Sequence, residues 1–309
     1  MIPGQPVNSD TGPRPAAARP GFTSLPSSAI MVVMKRIRIG NQTAFSAPPT
    51  LPFEYAASSG FDAFEWFPDR DDSGRGWDVQ DIDAETRRYI RETAEARDMA
   101  LSVHASLKAD PMIPDAHGLL VEEFEFAREI GATLFNIHLG NGEGMEAYVR
   151  AVTPLVMLAA RIGLRLSIEN TPLTGPEDFN TLFGLLEKLG PSKVAHVGMC
   201  LDIGHANLCA QTRNDYLGFI GRLKPHVPLI HVHLHENYGD SDSHLPIFTG
   251  PSGEEPSGIE RFIEWIKERG FSGSMILEQW PAPPSLLNAA RERLCRMIEE
   301  IQRPKEDKR

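Results

Sequence analysis

The chain has 309 residues, 41% of them hydrophobic and 24% charged, with a formal net charge of -11 and a pI near 5.4. That length suits one large domain, and no apolar run reaches the roughly 18 residues that a membrane helix needs. The acidic balance argues against nucleic acid as a partner, and three scattered cysteines without a CxxC pair (Cys200, Cys209, Cys295) argue for a reducing, cytoplasmic setting over a disulfide scaffold.

Residues 1–34 are rich in Pro, Gly, Ser and Ala, and Pro3, Pro6, Pro13, Pro15 and Pro20 interrupt any signal-peptide run, so they read as a disordered tail. From residue 35 to 303 short apolar runs alternate with amphipathic segments. The strand candidates are 36–40, 61–67, 100–105, 133–139, 164–170, 198–203, 229–234 and 274–279. Helical patterns lie between them at 84–97, 119–130, 145–162, 176–189, 216–223, 259–269 and 284–301, several closing on a glycine (Gly131, Gly163, Gly190, Gly270). Residues 304–309 form a charged tail. Eight strands alternating with helices fit an open doubly wound sheet or a closed barrel. No GxGxxG follows the first strand, and polar residues gather at nearly every strand end, so the pattern predicts an α/β fold: a (β/α)8 TIM barrel in a single domain.

Those strand ends read SVHAS, NIHLG, SIENT, CLDIGHA, HVHLHEN and MILEQ. They place His104, His138, Glu169, Asp202 with His205, His233, and Glu278 where a barrel assembles its active site, and the following loop YGDSDSHLP adds Asp242 and His244. Imidazole and carboxylate are ligands of Zn, Mn, Fe and Co. Several carboxylates converging in a low-dielectric pocket repel one another, which a cation relieves. Glu65, in FEWF at the end of the second strand, is either within reach of the site or held in a structural salt bridge, and Trp66, Phe67, Trp77 and Trp280 either wall the pocket or simply pack. Period-two alternation sends His231, His233 and His235 to one face, with His231 deeper and His235 at the rim. His117, His196 and His226 fall in helix or loop segments and read as structural, and Cys200 reads as a small buried hydrophobe.

In this order and spacing, the motifs LSIENTP, CLDIGHANL, HVHLHENYGDSDSHLP and ILEQWP resemble the xylose isomerase-like TIM-barrel superfamily, from residue 35 to the last helix. Sugar-phosphate isomerases and epimerases, inosose-processing enzymes, hydroxypyruvate isomerase and the endonuclease IV type of apurinic endonucleases belong to it. The resemblance implies one divalent metal held by Glu169, Asp202, His233 and Glu278. In the endonuclease IV branch three zinc ions also use residues matching His104, His138, His205, Asp242 and His244. Both sets are present, so the metal is Mn, Zn or Co, one to three per chain. In an isomerase or epimerase of a sugar, keto-sugar or polyol-derived small molecule, Glu169 and Glu278 would exchange the proton through a metal-stabilised enediolate, with His104, His205 and Glu65 on the substrate. The alternative is a multinuclear zinc phosphoesterase. Acidic loops (FPDRDDSGRGWD, HENYGDSDSH, GPSGEEPSG) speak against DNA as its substrate. A non-catalytic binding barrel is the third reading, against which stands the full ligand set. Glu236 stands where relatives often carry Asp. Oligomeric state stays open, a homo-oligomer included.

Overall fold

A computed structural model describes residues 36–71 and 73–302; the two expected tails, 1–34 and 304–309, lie outside the described residues. Strand β1 (Ile37–Gln42) leads to helix α1 (Thr50–Ser58), β2 (Ala63–Trp66) to α2 (Ala84–Ala96), β3 (Ala100–His104) to α3 (His117–Ile130), and β4 (Leu134–His138) to α4 (Met145–Ile162). Then come β5 (Arg165–Glu169), α5 (Pro176–Leu186) and the single turn α6 (Pro191–Val194), followed by β6 (Val197–Asp202), α7 (Ile203–Leu208) and α8 (Tyr216–Gly221). The chain continues with β7 (Leu229–Leu234), the turn α9 (Pro251–Glu254), α10 (Ser257–Glu268), β8 (Gly273–Leu277) and α11 (Ser285–Gln302). Each strand pairs in parallel with the next, and β8 pairs with β1, which closes the cylinder. All eight expected strands are present.

Parallel strands covered by helices are buried on both faces, so their outward residues are large and apolar. Phe64, Trp66, Phe135, Ile168, Met199 and Val232 are all fully buried against the helix ring. Phe135 stacks on Phe124 of α3 at 4.0 Å between centroids. On α4, Tyr148, Val152, Leu155, Val156 and Ala159 recur at helical spacing on one buried stripe. Fully burying each side chain of this size contributes about 1.5–3 kcal/mol. Helices α3 and α4 stop at Gly131 and Gly163, whose φ of 77° and 79° a side chain would resist.

The lumen follows a different rule. Glu65 of β2 accepts from Ser102 Oγ of β3 at 2.8 Å and from His231 Nε2 of β7 at 2.8 Å, contacts that cross the inside of the cylinder. Ser167 Oγ of β5 donates to Asn136 Oδ1 of β4 at 2.6 Å, and Asn136 Nδ2 donates to Glu169. Branched aliphatic residues usually fill a barrel lumen. Here polar side chains fill it and pair with one another across the strands.

Four helices are not legible in the sequence: the single turns α6 and α9, and helices α1 and α7. Helix α1 carries Pro52 and no side-chain cap, and its outer face is mixed, so no apolar stripe announces it. Helix α7 has only six residues; it forms because Asp202 Oδ1 accepts the His205 N–H at 2.7 Å and caps it. Trp66 and Trp77 do not wall a pocket: they meet at 5.7 Å beside Phe53 and Phe126, outside the cylinder among the helices. Among the described residues no helix is long and apolar enough to cross a membrane.

Candidate metal centre

Parallel strands all point their carboxyl ends to one mouth, so each strand's last inward side chain enters the same space. His104 ends β3, His138 ends β4, Glu169 ends β5, Asp202 ends β6, His233 stands one residue before the end of β7, and Glu278 follows β8. One donor atom from each of Glu169, Asp202, His233 and Glu278 lies within 4.8 Å of the other three, and all four residues are buried. His104, His138 and Glu169 make a second such group, and His205, His235, Asp242 and His244 a third. Glu169 is shared: its Oε2 lies 3.1 Å from His104 Nε2 and 3.2 Å from His233 Nδ1, its Oε1 3.3 Å from His205 Nδ1 and 3.6 Å from His138 Nε2. His233 Nδ1 is also 2.9 Å from Glu278 Oε1.

The outer group is built by the loop after β7. Asp242 Oδ2 lies 3.1 Å from His205 Nε2 and 3.3 Å from His244 Nε2. His244 has a φ of 43°, an uncommon conformation for a side-chain-bearing residue, and it turns the ring inward. Asn170 ties the ends of β5 and β6 together, donating to the Asp202 carbonyl at 2.8 Å and accepting the Asp202 N–H at 2.9 Å.

The electrostatics are those of carboxylates paired with imidazolium ions. Burial works to raise the pKa of Glu169 and Asp202, yet the charges on His233 and His138, and on His205 and His235, outweigh it and hold both carboxyls well below their ordinary value. Burial likewise pulls the His205 and His233 pKa values down; Asp202, Asp242 and Glu169 reverse it at His205, and Cys200, Glu169, Glu278 and Glu65 at His233, so that both rings are pushed well up. His244 rises to about 9 against burial, through Asp242 and Glu278.

A divalent cation fits this donor set. Glu169 Oε1, Glu278 Oε2 and His233 Nδ1 are buried with ionic neighbours but no hydrogen bond. His104, His205 and His244 each direct Nδ1 at a backbone carbonyl, of Ala105 at 2.6 Å, Asn170 at 2.8 Å and Glu278 at 3.0 Å, which leaves Nε2 for the cluster. Orientation of this kind is what metal-binding imidazoles require. Ligating imidazoles must be unprotonated at the bound nitrogen, so cation uptake competes with protons for these rings.

Above the cluster opens a cavity of about 540 Å³. His104, His138, Glu169, His205, Asp242, His244 and Glu278 form its floor, and Phe45, Phe67, Leu107 and Trp280 stand among its walls. Its described lining contains no Lys or Arg.

The structure thus brings together all nine ligand-type residues singled out in the sequence and separates one other expectation from them. Glu65 does not reach the cavity. It is fully buried beneath the cluster, its oxygens taken by Ser102, His231 and His233, because β2 ends its pairing one layer deeper than the mouth. His235 lies just past the end of β7 in the outer group, yet it is 1% exposed, with Nε2 at 3.1 Å from Asp202 and its ring stacked on His244 at 4.0 Å. Its period-two register with His233 was the available signal; the loop that folds over it was not legible. Glu236 is structural: its carboxylate takes the backbone N–H of Gly250 at 2.7 Å and of Ser252 at 3.2 Å, clasping the loop. His117, His196 and His226 each meet a backbone carbonyl, as expected of structural histidines. Cys200 is fully buried, and burial pushes its thiol well above the usual range.

Comparison with known proteins agrees with this architecture. An uncharacterized protein of Methanocaldococcus jannaschii, MJ1311, is 26% identical over 213 residues, covering 62% of this chain and 68% of the relative. A D-tagatose 3-epimerase-like protein has a similar structure, with a TM-score of 0.65 and 22% identity over 85% of this chain and 98% of that one. Endonuclease IV from Thermus thermophilus has a TM-score of 0.57 and 21% identity over 85% of this chain and 99% of that one. At these identities both likenesses show the fold. The family described as xylose isomerase-like TIM barrel matches residues 53–299, and the chain belongs to it.

Proposed function

We propose that this protein is a divalent-cation-dependent isomerase or epimerase of a small sugar, keto-sugar or polyol-derived molecule. The observation that carries the reading is the pairing of Glu169 and Glu278. These carboxylates come from strands far apart in the sequence, converge on the same His233 nitrogen, and both line the cavity floor. Mn, Zn or Co bound by Glu169, Asp202, His233 and Glu278 would supply a Lewis acid for a substrate carbonyl and its adjacent hydroxyl. One carboxylate takes the proton from the carbon next to the carbonyl, and the other returns a proton to the neighbouring carbon or to the opposite face. Atoms and charge balance without an oxidant or reductant. The Nε2 atoms of His104 and His205 face this space and can hydrogen-bond substrate oxygens. Phe67 and Trp280 offer flat apolar walls to the C–H faces of a sugar. A described lining without Lys or Arg favours an uncharged substrate over a phosphorylated one.

Glu278→Gln and Glu169→Gln are each expected to lower turnover by roughly 10²- to 10⁴-fold, the usual range for a proton-transferring side chain. The direct test is incubation with Mn²⁺ and a panel of free ketoses in D₂O. Deuterium appearing at the carbon next to the carbonyl supports the reading, and no exchange from any ketose, polyol-derived ketone or aldose sinks it.

A second reading, a multinuclear zinc phosphoesterase, is favoured by the two further ligand groups, His104 with His138 and Glu169, and His205 with His235, Asp242 and His244. Elemental analysis separates the two. About one metal per chain goes with the isomerase, and about three zinc ions with phosphodiester cleavage and no deuterium exchange go with the hydrolase.

A further inference from the structure

Within the cluster, His233 is oriented unlike His104, His205 and His244, which are fixed by backbone carbonyls at Nδ1. It turns Nδ1 toward Glu278 and Glu169, at 2.9 and 3.2 Å, and its Nε2 lies 2.9 Å from Glu65 Oε1. The reason is its place in the fold. His104 sits at the last residue of a strand, His205 in α7 and His244 in a loop, where carbonyls are free to accept. His233 lies inside β7, paired with β6 and β8, where the sheet ladder uses the backbone groups. Only a side chain crossing the lumen can hold its far nitrogen.

Glu65 is that side chain. It is fully buried, and its Oε2 accepts the His231 Nε2–H and the Ser102 hydroxyl, each at 2.8 Å, which fixes the carboxylate and leaves Oε1 for His233. His231 is itself 1% exposed and has no other hydrogen bond from its ring. The three residues form a line from β7 to β2 and back to β7, directly beneath the candidate ligands.

We propose that Glu65 is a positioning residue for the cation centre: it keeps the proton on His233 Nε2, so that His233 offers Nδ1 to the ion, while His231 and Ser102 hold the carboxylate in place. This role rests on the reading of His233 as a ligand. Once the ion takes Nδ1, the ring's one hydrogen lies on Nε2, and Glu65 Oε1, 2.9 Å away and without a hydrogen bond of its own, is the carboxylate oxygen in reach of it. The pairing also makes the opposite nitrogen a better electron donor. Glu65 reaches the reaction only through His233, because it does not line the cavity.

The test uses Zn²⁺ as the probe. In zinc-loaded protein with ¹⁵N-labelled histidine, the His233 resonances are expected to show a protonated Nε2 and a metal-bound Nδ1, whereas His104, His205 and His244 carry their proton on Nδ1, against a backbone carbonyl. A metal-bound Nε2 on His233 would overturn the role. Zinc affinity, measured by chelator competition, is expected to fall roughly 10- to 100-fold in Glu65→Leu. A smaller fall is expected in Glu65→Gln, whose amide oxygen still accepts the Nε2–H. Zinc affinity within about twofold of wild type in Glu65→Gln and Glu65→Leu would reduce Glu65 to a structural ion pair, well below the loss expected of a residue that orients a ligand. If Glu65→Leu fails to fold, the ¹⁵N pattern of the wild-type protein decides. No zinc uptake by the wild-type protein would sink the cation reading and this role together, whereas uptake indifferent to Glu65 would sink this role alone.

Discussion

Glu123 projects from α3 and is 1% exposed, with both carboxylate oxygens facing the Ser106 backbone N–H at 3.2 and 3.3 Å. Burial pushes its carboxyl from 4.5 up to about 7, although the Ser106 hydrogen bonds pull the other way. The folded protein therefore holds this proton more tightly than the unfolded chain does. The stability it contributes is complete below about pH 4.5 and is lost as the pH rises through about 7. Between about pH 4.5 and 8 the wild-type protein is expected to lose up to about 3 kcal/mol relative to Glu123→Gln, read from urea unfolding at both pH values. A stability difference that does not change with pH would show that Glu123 ionises normally. At this scale most ligand-type residues are legible because they end an apolar run, and Asp242 and His244 because they share a short Asp-x-His loop. Which of its two readings Glu65 takes, and how deeply His235 is covered, depend on the stagger of eight strands and on a loop folded over the mouth, neither of which a residue's neighbours in sequence encode.

Among the elements, α7 links the chain's local and long-range order. Its cap is Asp202, itself a candidate ligand, and its Gly204 lies flat against the His235 ring, so closely that a Cβ there would overlap ring atoms. Gly204→Ala is expected to displace His235 and to destabilise the protein by about 1–3 kcal/mol, as overpacking does. Gly184 in α5 makes the contrast. A Cβ there meets nothing within 4 Å, and Gly184→Ala is expected to stabilise by about 0.5–1 kcal/mol. Urea unfolding of the two variants checks both signs, and a stable Gly204→Ala protein would mean that His235 is free to move. The strands could be read because Val, Ile, Leu and Phe cluster between Gly and Pro. Helices α1 and α7 could not, since tertiary contacts and one carboxylate cap make them, and neither leaves a periodic trace.

For the whole molecule, closure of β8 onto β1 gathers four carboxylates (Glu169, Asp202, Asp242, Glu278) and six imidazoles at one mouth. Cation binding to the folded state alone stabilises it, by about 2.7 kcal/mol at a free concentration roughly 100 times the dissociation constant. Chelator treatment is therefore expected to lower the melting temperature, and Mn²⁺ or Zn²⁺ to restore it in the wild-type protein but not in Asp202→Asn. A melting temperature indifferent to both would remove the cation from the fold's energetics. The βα rhythm made the barrel legible, but the polar lumen was not: serine and asparagine in a strand look like interruptions until the strands close around them. That lumen has a consequence for anyone re-engineering the chain. Replacing Glu65, Ser102 or His231 singly with an aliphatic residue strands its buried companions, while exchanging the trio in concert for well-packed hydrocarbon removes their ion pair and its desolvation together, provided that His233 Nε2 keeps a partner. The interior should thus tolerate redesign by blocks and resist it by single steps.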